Sequence, residues 1–258
     1  MNIQSFQLNI SYSDEKEAVE MHNKLRCLLP YIAAIASASP ICEGKKLFAD
    51  TRLYYYRTNQ KEIPLICNDV IPERISSLKE YKSILKKIYA ELIKRDAYRL
   101  CREWVNSRGV IFRFSRDCLE IKIMDEQECI KSDVALAAFI LSLLKAEVRE
   151  FGRDELVRKL DSAMRYGTAE LKSELWHLFK HAKENAEDEE KRYLDIVKDR
   201  IENGSLAERI VAKSDDVEEI IKMCEKLSKC LERNEVFLNL LYNFENNRGT
   251  DPLHTTKP

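Results

Sequence analysis

Two parts of the chain alternate apolar and polar residues with the period of a β-strand. In residues 3–12, every second residue from Phe6 to Ile10 is apolar, and Gln7 and Asn9 lie on the opposite, uncharged polar side. The second part is NSRGVIFRFSRDCLEIKIMD, residues 106–125, in which two alternating runs are joined by a tight polar link. The pattern predicts one strand near the start of the chain and a later antiparallel hairpin with one apolar face.

The polar face of the predicted hairpin carries Arg113, Glu120 and Lys122, with Arg108 before the first strand and Asp125 after the second. Such a face is explained by cross-strand ion pairs in contact with water. The same residue types also suit a phosphate and a metal ion. Taken alone, the hairpin favours the ion pairs.

Helical periodicity accounts for most of the remaining chain. Ser13 is the expected N-cap of a first helix that ends before Pro40. A helix that begins near Lys131 is apolar on nearly all sides, which predicts deep burial. The further predicted helices cover residues 75–96, 153–165, 168–187, 188–203 and 216–243.

Residues 41–77 form the main irregular segment expected from the sequence, and it contains ADTRLYYYRTNQ at 49–60. Long connections in compact domains are often binding loops. Aromatic residues beside arginines can stack on nucleic-acid bases or hold a small carboxylate. Residues 246–258 are expected to be a disordered tail.

The elements together predict an α+β fold. One domain is expected over residues 1–245, with a sheet and site half at 1–130 and a helical half at 131–245. A sheet of three strands is small for this number of helices, which indicates that further strands of the sheet are missing from this chain. A homodimer that pairs exposed sheet edges is one way to cover them.

Composition narrows the class of protein. The net charge of −1 over 258 residues provides no overall field for nucleic acid or an acidic membrane. The first residues lack a signal-peptide pattern, and the longest apolar stretch, 134–144, is too short to span a bilayer. A cytoplasmic protein without nucleic-acid or membrane partners is therefore expected.

The eight cysteines contain no C-x-x-C pair, so a zinc site built on thiolates is not expected, and reduced, mostly buried thiols are. His177 and His181 are four residues apart on one predicted helix, a spacing that can bind a metal. Because no third ligand follows at a suitable helical spacing, a solvated helix face is preferred.

Several motifs occur in an order that is similar to a known family. NSRG-x3-R followed by E-I-K-x2-D resembles the arginine and glutamate motif of the glutamine synthetase-like carboxylate–amine ligases. The chain is more closely similar to glutamate–cysteine ligase family 2, which includes the plant-type enzymes. The other stretches that resemble this family are SFQLNISYS, ASASPICEGK, ADTRLYYYRTNQ, IMDEQECIKSDVALAAFI, GTAELKSELWHLF and LAERIV.

The resemblance implies a partial antiparallel glutamine synthetase-like sheet packed with helices, followed by a mostly helical C-terminal region. It also implies an ATP- and Mg²⁺-dependent ligase of glutathione biosynthesis. Such an enzyme phosphorylates a glutamate carboxylate, and an amine such as that of cysteine then attacks the acyl phosphate to form a γ-glutamyl amide.

The resemblance assigns roles to individual residues. Arg108 and Arg113 would bind ATP phosphates, since arginine binds phosphate oxygens with two parallel hydrogen bonds. Lys122 would take a catalytic position at which the family usually has arginine. Glu120 would be a magnesium ligand.

The substrate side of the implied site comes from two other motifs. Arg52 would hold the glutamate carboxylate, with Tyr56 as a nearby wall. Gln7 and Asn9 would line the floor.

The chain also departs from the family pattern. The family begins with roughly a hundred or more further residues, including a Gly-x-Glu-x-Glu strand that binds most of the metal, and no such motif occurs here. Magnesium generally takes more than one anionic partner. A truncated form, a form split across two polypeptides with a separate N-terminal segment, or a misassigned start codon is therefore expected, with doubtful activity of this chain alone. The alternative is a non-catalytic helical interaction module whose working part is residues 153–243.

Overall fold

The protein is described by a computed structural model over residues 3–213 and 216–237. It is an α+β protein, as the alternating and helical patterns predicted. The expected tail at 246–258 lies outside these residues. The helix expected at 216–243 ends at Arg233 instead, because Asn234 adopts a left-handed backbone conformation and caps it. The strands are β1 (Phe6–Ser11), β2 (Ile41–Cys42), β3 (Lys45–Lys46), β4 (Val110–Arg113) and β5 (Cys118–Met124).

Helices make up most of the structure, and short 3-10 turns join several of them. None of the helices in the described residues is long and apolar enough to cross a membrane. The helices are α1 (Glu15–Ala36), α2 (Thr51–Thr58), α3 (Leu78–Ile93), α4 (Ile130–Leu144), α5 (Arg153–Tyr166), α6 (Lys172–Asn185), α7 (Asp188–Asn203), α8 (Leu206–Val211) and α9 (Val217–Arg233).

Two local predictions are corrected by the structure. The N-cap of α1 is Asp14, whose side chain accepts a hydrogen bond from the Glu17 amide at 2.9 Å, whereas Ser13 bonds to the Glu17 carboxylate. The segment 41–77 is not irregular throughout, since it contains α2 and the small β2–β3 hairpin. The three consecutive tyrosines of α2 leave no helical alternation of apolar and polar residues that the sequence could show.

The main sheet is antiparallel in the order β1-β5-β4. One of its faces is apolar and packs against α1, whose second half is almost completely buried. All seven residues of the central strand β5 are buried, so protein covers both of its faces. Among the described strands, β1 pairs only with β5, and the side chains of Gln7 and Asn9 are exposed.

An aromatic cluster joins α1 to the sheet. His22 of α1 is completely buried. Its ring stacks on Phe112 of β4 with centroids 5.4 Å apart and meets the edge of Tyr81 at 5.8 Å. Neither ring nitrogen has a hydrogen-bond partner, and this burial lowers the pKa of His22 to about 4. The histidine is therefore a neutral aromatic residue of the core at neutral pH.

A glycine allows the chain to enter β4 closely packed on α1. The Gly109 amide donates to the Val70 carbonyl at 2.7 Å. A Cβ atom at residue 109 would lie 2.7 Å from Leu29 Cδ1 of α1 and 3.3 Å from Val70 Cγ1. Any side chain at this position would push α1 or its leucine away from the sheet.

A buried carboxylate links the end of the sheet to the helical region. Glu128, between β5 and α4, accepts hydrogen bonds through Oε1 from Arg200 of α7 at 2.5 Å and from Ser132 at 3.1 Å. The same oxygen accepts from the backbone amide of Phe237 at 3.0 Å. One carboxylate therefore connects the residues that follow β5 with α4, α7 and the segment after α9.

Candidate functional site

The polar face of the main sheet collects several of the residues that the sequence singled out. Glu120 of β5 lies opposite Asn9 of β1 and Ile111 of β4, so these three side chains share one face. Lys122 is two residues further along β5 and lies on the same face. We refer to the surface formed by Asn9, Arg113, Glu120 and Lys122 as the polar sheet face.

Arg113 and Glu120 contact each other directly across the hairpin. Arg113 Nη1 donates to Glu120 Oε2, and its Nε donates to Glu103 Oε1 at 3.2 Å. The side chain of Glu120 is 3% exposed and that of Arg113 is 14% exposed. Arg113 lines a surface cavity of about 380 Å³ together with Arg102 and other residues. This arrangement leaves the arginine accessible to an anion from one side.

Lys122 is held by backbone carbonyls. Its Nζ donates to the Trp104 carbonyl at 3.2 Å and to the Asn106 carbonyl at 3.3 Å. Burial lowers the pKa of Lys122, and the carboxylate of Glu120 opposes this effect. An ammonium group has three protons to donate, so one further acceptor can bind.

Arg52 lies at the end of β5, where α2 packs over the sheet. Its Nε donates to Asp125 Oδ1 and its Nη2 donates to the Ile123 carbonyl. Asp125 also accepts from Ser39 Oγ at 2.7 Å. Arg52 Nη1, by contrast, is buried without a hydrogen-bond partner. A buried guanidinium nitrogen without an acceptor is costly, and a ligand oxygen would satisfy it.

A second acidic residue, Asp50, lies close to Asp125 at the start of α2. Asp50 is the N-cap, and its Oδ1 accepts from the Leu53 amide at 2.7 Å. Burial and then the charge of Asp125 raise the pKa of Asp50 well above its usual value. Asp125 is the carboxylate that pairs directly with Arg52.

Tyr56, one turn after Arg52 on α2, adds a second unsatisfied group. The guanidinium carbon of Arg52 lies 6.0 Å from the centre of the Tyr56 ring. The Tyr56 hydroxyl is buried near Ser107 without a partner in hydrogen-bond geometry, and burial raises its pKa. The oxygen of the Gln60 amide is also unpaired, while its nitrogen donates to Ser107 at 2.8 Å. These unpaired atoms provide donors and an acceptor for a small polar ligand.

Arg108 is not brought together with the other predicted site residues. Its side chain is 0% exposed and pairs with Glu73 through Nε at 2.7 Å and Nη2 at 2.8 Å. Its Nη1 donates to the Leu65 carbonyl at 3.1 Å and to Asn106 Oδ1 at 3.0 Å. Protein acceptors engage each nitrogen, so this geometry does not favour Arg108 as a phosphate ligand, and that role stays a prediction.

Gln7 and Asn9 lie on the edge strand β1 rather than beneath a closed pocket. Gln7 donates to Ser5 Oγ at 3.3 Å, and Asn9 Oδ1 accepts from the thiol of Cys118 at 3.3 Å. Asn9 is beside Glu120 in the sheet register. Of the two, Asn9 is directly next to the charged part of the polar sheet face.

The residues within 3–213 and 216–237 do not by themselves fit a magnesium ion. No group of three or more His, Cys, Asp or Glu residues in these ranges is arranged to hold a metal. Glu120, the predicted ligand, is paired with Arg113. Magnesium normally combines one or two carboxylates with waters and substrate phosphates, so further anionic ligands would be needed.

Sequence reasoning missed several partners that shape the site. Asp125 ends the E-I-K-x2-D motif and Asp50 lies in ADTRLYYYRTNQ, but the sequence did not predict that Asp125 pairs with Arg52 or that Asp50 caps α2. Glu73 and Glu103, the partners of the two motif arginines, come from separate parts of the chain. The only sequence signal for the aspartates is their position at the end of an apolar strand and at the start of α2.

Comparison with known proteins gives one family and one curated relative. The sequence model of glutamate–cysteine ligase family 2 (GCS2) matches residues 3–226. An uncharacterized protein of Archaeoglobus fulgidus (strain ATCC 49558 / DSM 4304 / JCM 9628 / NBRC 100126 / VC-16) is 68% identical over 240 residues. The aligned part covers 92% of this chain and 66% of the length of the relative.

Proposed function

Since the chain belongs to glutamate–cysteine ligase family 2, we propose that it works as an ATP-dependent carboxylate–amine ligase that forms γ-glutamyl amides. In this reaction a glutamate carboxylate oxygen attacks the terminal phosphorus of ATP, and ADP leaves. The nitrogen of an amine such as cysteine then attacks the acyl carbon, phosphate leaves, and the nitrogen loses a proton. Ligases of this type generally use ATP and Mg²⁺.

The unpaired donors on α2 carry this proposal. Arg52 Nη1 and the Tyr56 hydroxyl are buried, lie on the same helix and lack acceptors. An α-carboxylate of glutamate would supply oxygens for both groups. Asp125 and the Ile123 carbonyl fix the rest of the guanidinium, so the arginine is oriented before the ligand arrives.

The positive charges of the polar sheet face suit a phosphoryl group. Arg113 is open to a surface cavity, and Lys122 retains one free proton donor. Positive groups held in place can stabilise the charge of a transferring phosphoryl group. Glu120 holds Arg113 in position in this arrangement. Asn9, on the neighbouring strand, would contact the ligand from the open side of the sheet.

We place the remaining magnesium ligands outside the described residues. The carboxylates available here do not form a magnesium site, and the chain spans 66% of the length of its relative. A further segment, carried by this polypeptide or by a separate one, would add strands along β1 and provide the missing acids. This part of the proposal predicts that ligase activity depends on such a segment.

The test measures binding of glutamate to the full chain by isothermal titration calorimetry. Tyr56→Phe removes one buried hydroxyl, and we expect glutamate affinity to fall about tenfold, equivalent to about 1.4 kcal/mol. Tyr55→Phe is the matched control, because Tyr55 precedes Tyr56 on α2 and its hydroxyl is not among the buried unpaired atoms. Equal affinities of both variants and the wild type would contradict the assigned carboxylate site.

The nucleotide is tested separately. Titration with Mg²⁺-ATP should show binding that is lost in Arg113→Ala, and ADP release should require glutamate and an amine once the further segment is supplied. Stable folding with no response to glutamate or Mg²⁺-ATP in any of these experiments would favour the alternative, a non-catalytic helical interaction module.

A further inference from the structure

The exposed side of α6 carries two histidine side chains that approach each other. His177 and His181 are one helical turn apart, and their Nε2 atoms lie 3.2 Å from each other. The ring centroids are 4.6 Å apart and the ring planes are nearly perpendicular. The sequence favoured a solvated helix face here, but the two rings converge on one point instead of diverging into water.

The separation of the two nitrogens matches the coordination sphere of a tetrahedral metal ion. Zinc binds histidine nitrogens at about 2.0–2.1 Å, so two nitrogens at the tetrahedral angle lie about 3.3 Å apart. The pair therefore needs little movement to bind such an ion. A hydrogen bond between one protonated and one unprotonated nitrogen would give a similar distance, and this is the alternative that the experiment must exclude.

The far side of one imidazole ring is occupied by an acid. His181 Nδ1 lies 3.9 Å from Glu184 Oε2. A metal-bound histidine usually directs its other nitrogen toward a carboxylate, which fixes the ring and increases the basicity of the coordinating nitrogen. At 3.9 Å the two atoms are not hydrogen-bonded, so the exposed Glu184 side chain would have to move slightly to hold His181 with Nε2, the nitrogen that faces His177, free for a metal.

The space beside the pair can hold the remaining ligands. Both histidines line a cavity of about 360 Å³, which Glu147 and Glu174 also line. Glu174 is engaged by Lys159 at 2.8 Å. No metal-binding group of three or more side chains occurs within residues 3–213 and 216–237. Two imidazoles and solvent molecules would therefore complete the coordination.

We propose that His177 and His181 form a binding site for one divalent transition-metal ion of the zinc type, coordinated through both Nε2 atoms. Imidazole nitrogens suit zinc, copper and nickel, whereas magnesium prefers oxygen. The site is distinct from the polar sheet face, because α6 packs against α4 and α7. Its existence does not depend on the proposed ligase reaction.

Zinc titration of the full chain tests this site, with binding followed by calorimetry under reducing conditions. His177→Gln should remove one zinc equivalent relative to the wild type. The matched control is the double variant His181→Ala/Lys183→His, which keeps the number of histidines but moves one of them to the other side of α6. Residue 183 is exposed, and all eight cysteines stay in place, so zinc binding by thiols is the same in each protein.

The expected result is that both variants bind one zinc ion fewer than the wild type, or bind it at least about tenfold more weakly. Co²⁺ in place of Zn²⁺ should give the visible absorption of a four-coordinate ion in the wild type alone. Circular dichroism of each variant confirms that it is folded. Identical zinc stoichiometry and affinity in all three proteins would overturn the proposal and leave a hydrogen-bonded histidine pair.

Discussion

His22 should make the stability of the protein depend on pH. Its ring is enclosed by Phe112 and Tyr81, and neither ring nitrogen has a hydrogen-bond partner. Burial lowers the pKa of His22 from 6.5 to about 4. The variant His22→Phe keeps an aromatic ring in this position and removes the titrating group.

The size and sign of the effect follow from the two pKa values. Between pH 6.5 and about 4 the unfolded chain binds a proton at residue 22 and the folded chain does not, so the stability contribution is present above pH 6.5 and is lost as the pH falls. Each unit of pKa difference corresponds to 1.36 kcal/mol, which gives a loss of about 3 kcal/mol by pH 4. The stability of His22→Phe should not show this loss at low pH.

Urea unfolding at several pH values between 7.5 and 4 measures the effect. The free energy of unfolding of the wild type should fall more steeply with acidification than that of His22→Phe, and the two curves should separate by about 3 kcal/mol. Lys183→Gln, at an exposed position of α6, serves as a surface control and should keep the slope of the wild type. Parallel curves for the wild type and His22→Phe would refute this account of the buried ring.

Three further substitutions test other parts of the structure. Arg108→Met should lower the free energy of unfolding by about 1–3 kcal/mol in urea titration, since the Leu65 carbonyl and Asn106 lose a buried donor; an unchanged stability with lost ATP binding would instead assign Arg108 to the nucleotide. Gly109→Ala should cost about 1–3 kcal/mol through overpacking against α1, whereas Gly152→Ala, where a Cβ meets no atom within 4 Å, should cost much less in the same assay. Glu128→Gln leaves the buried Arg200 without its counter-charge and should lower the melting temperature in calorimetry by roughly 6–12 °C; an unchanged melting temperature would show that the pair is dispensable.

The strands of the main sheet and most helices could be predicted because their apolar periods are regular. The hairpin at β4 and β5 and the first strand follow directly from the alternation of residues 106–125 and 3–12. Helix α4 is buried on most of its surface, as its apolar composition predicted. The resemblance to the ligase family was also confirmed over residues 3–226.

The surroundings of the polar residues could not be predicted in the same way. Alternation shows which side of a strand is polar, but it does not show that Glu103 and the Trp104 carbonyl will contact Arg113 and Lys122 on that side. The pair of Arg113 with Glu120 is the kind of cross-strand ion pair that the alternation favoured, but only the folded chain brings Glu73 to Arg108. Partners that are tens of residues apart leave no local signal.

The contacts of Glu128 affect how the protein unfolds. Glu128 lies three residues after Asp125, the residue that orients Arg52. The Glu128 carboxylate also binds Arg200 and the Phe237 amide. Loosening the helical region would therefore expose an unpaired acid right beside the end of the central strand. We expect the sheet and the helices to melt in a single calorimetric transition, with equal calorimetric and van't Hoff enthalpies, so the two halves of the chain would behave as one cooperative unit.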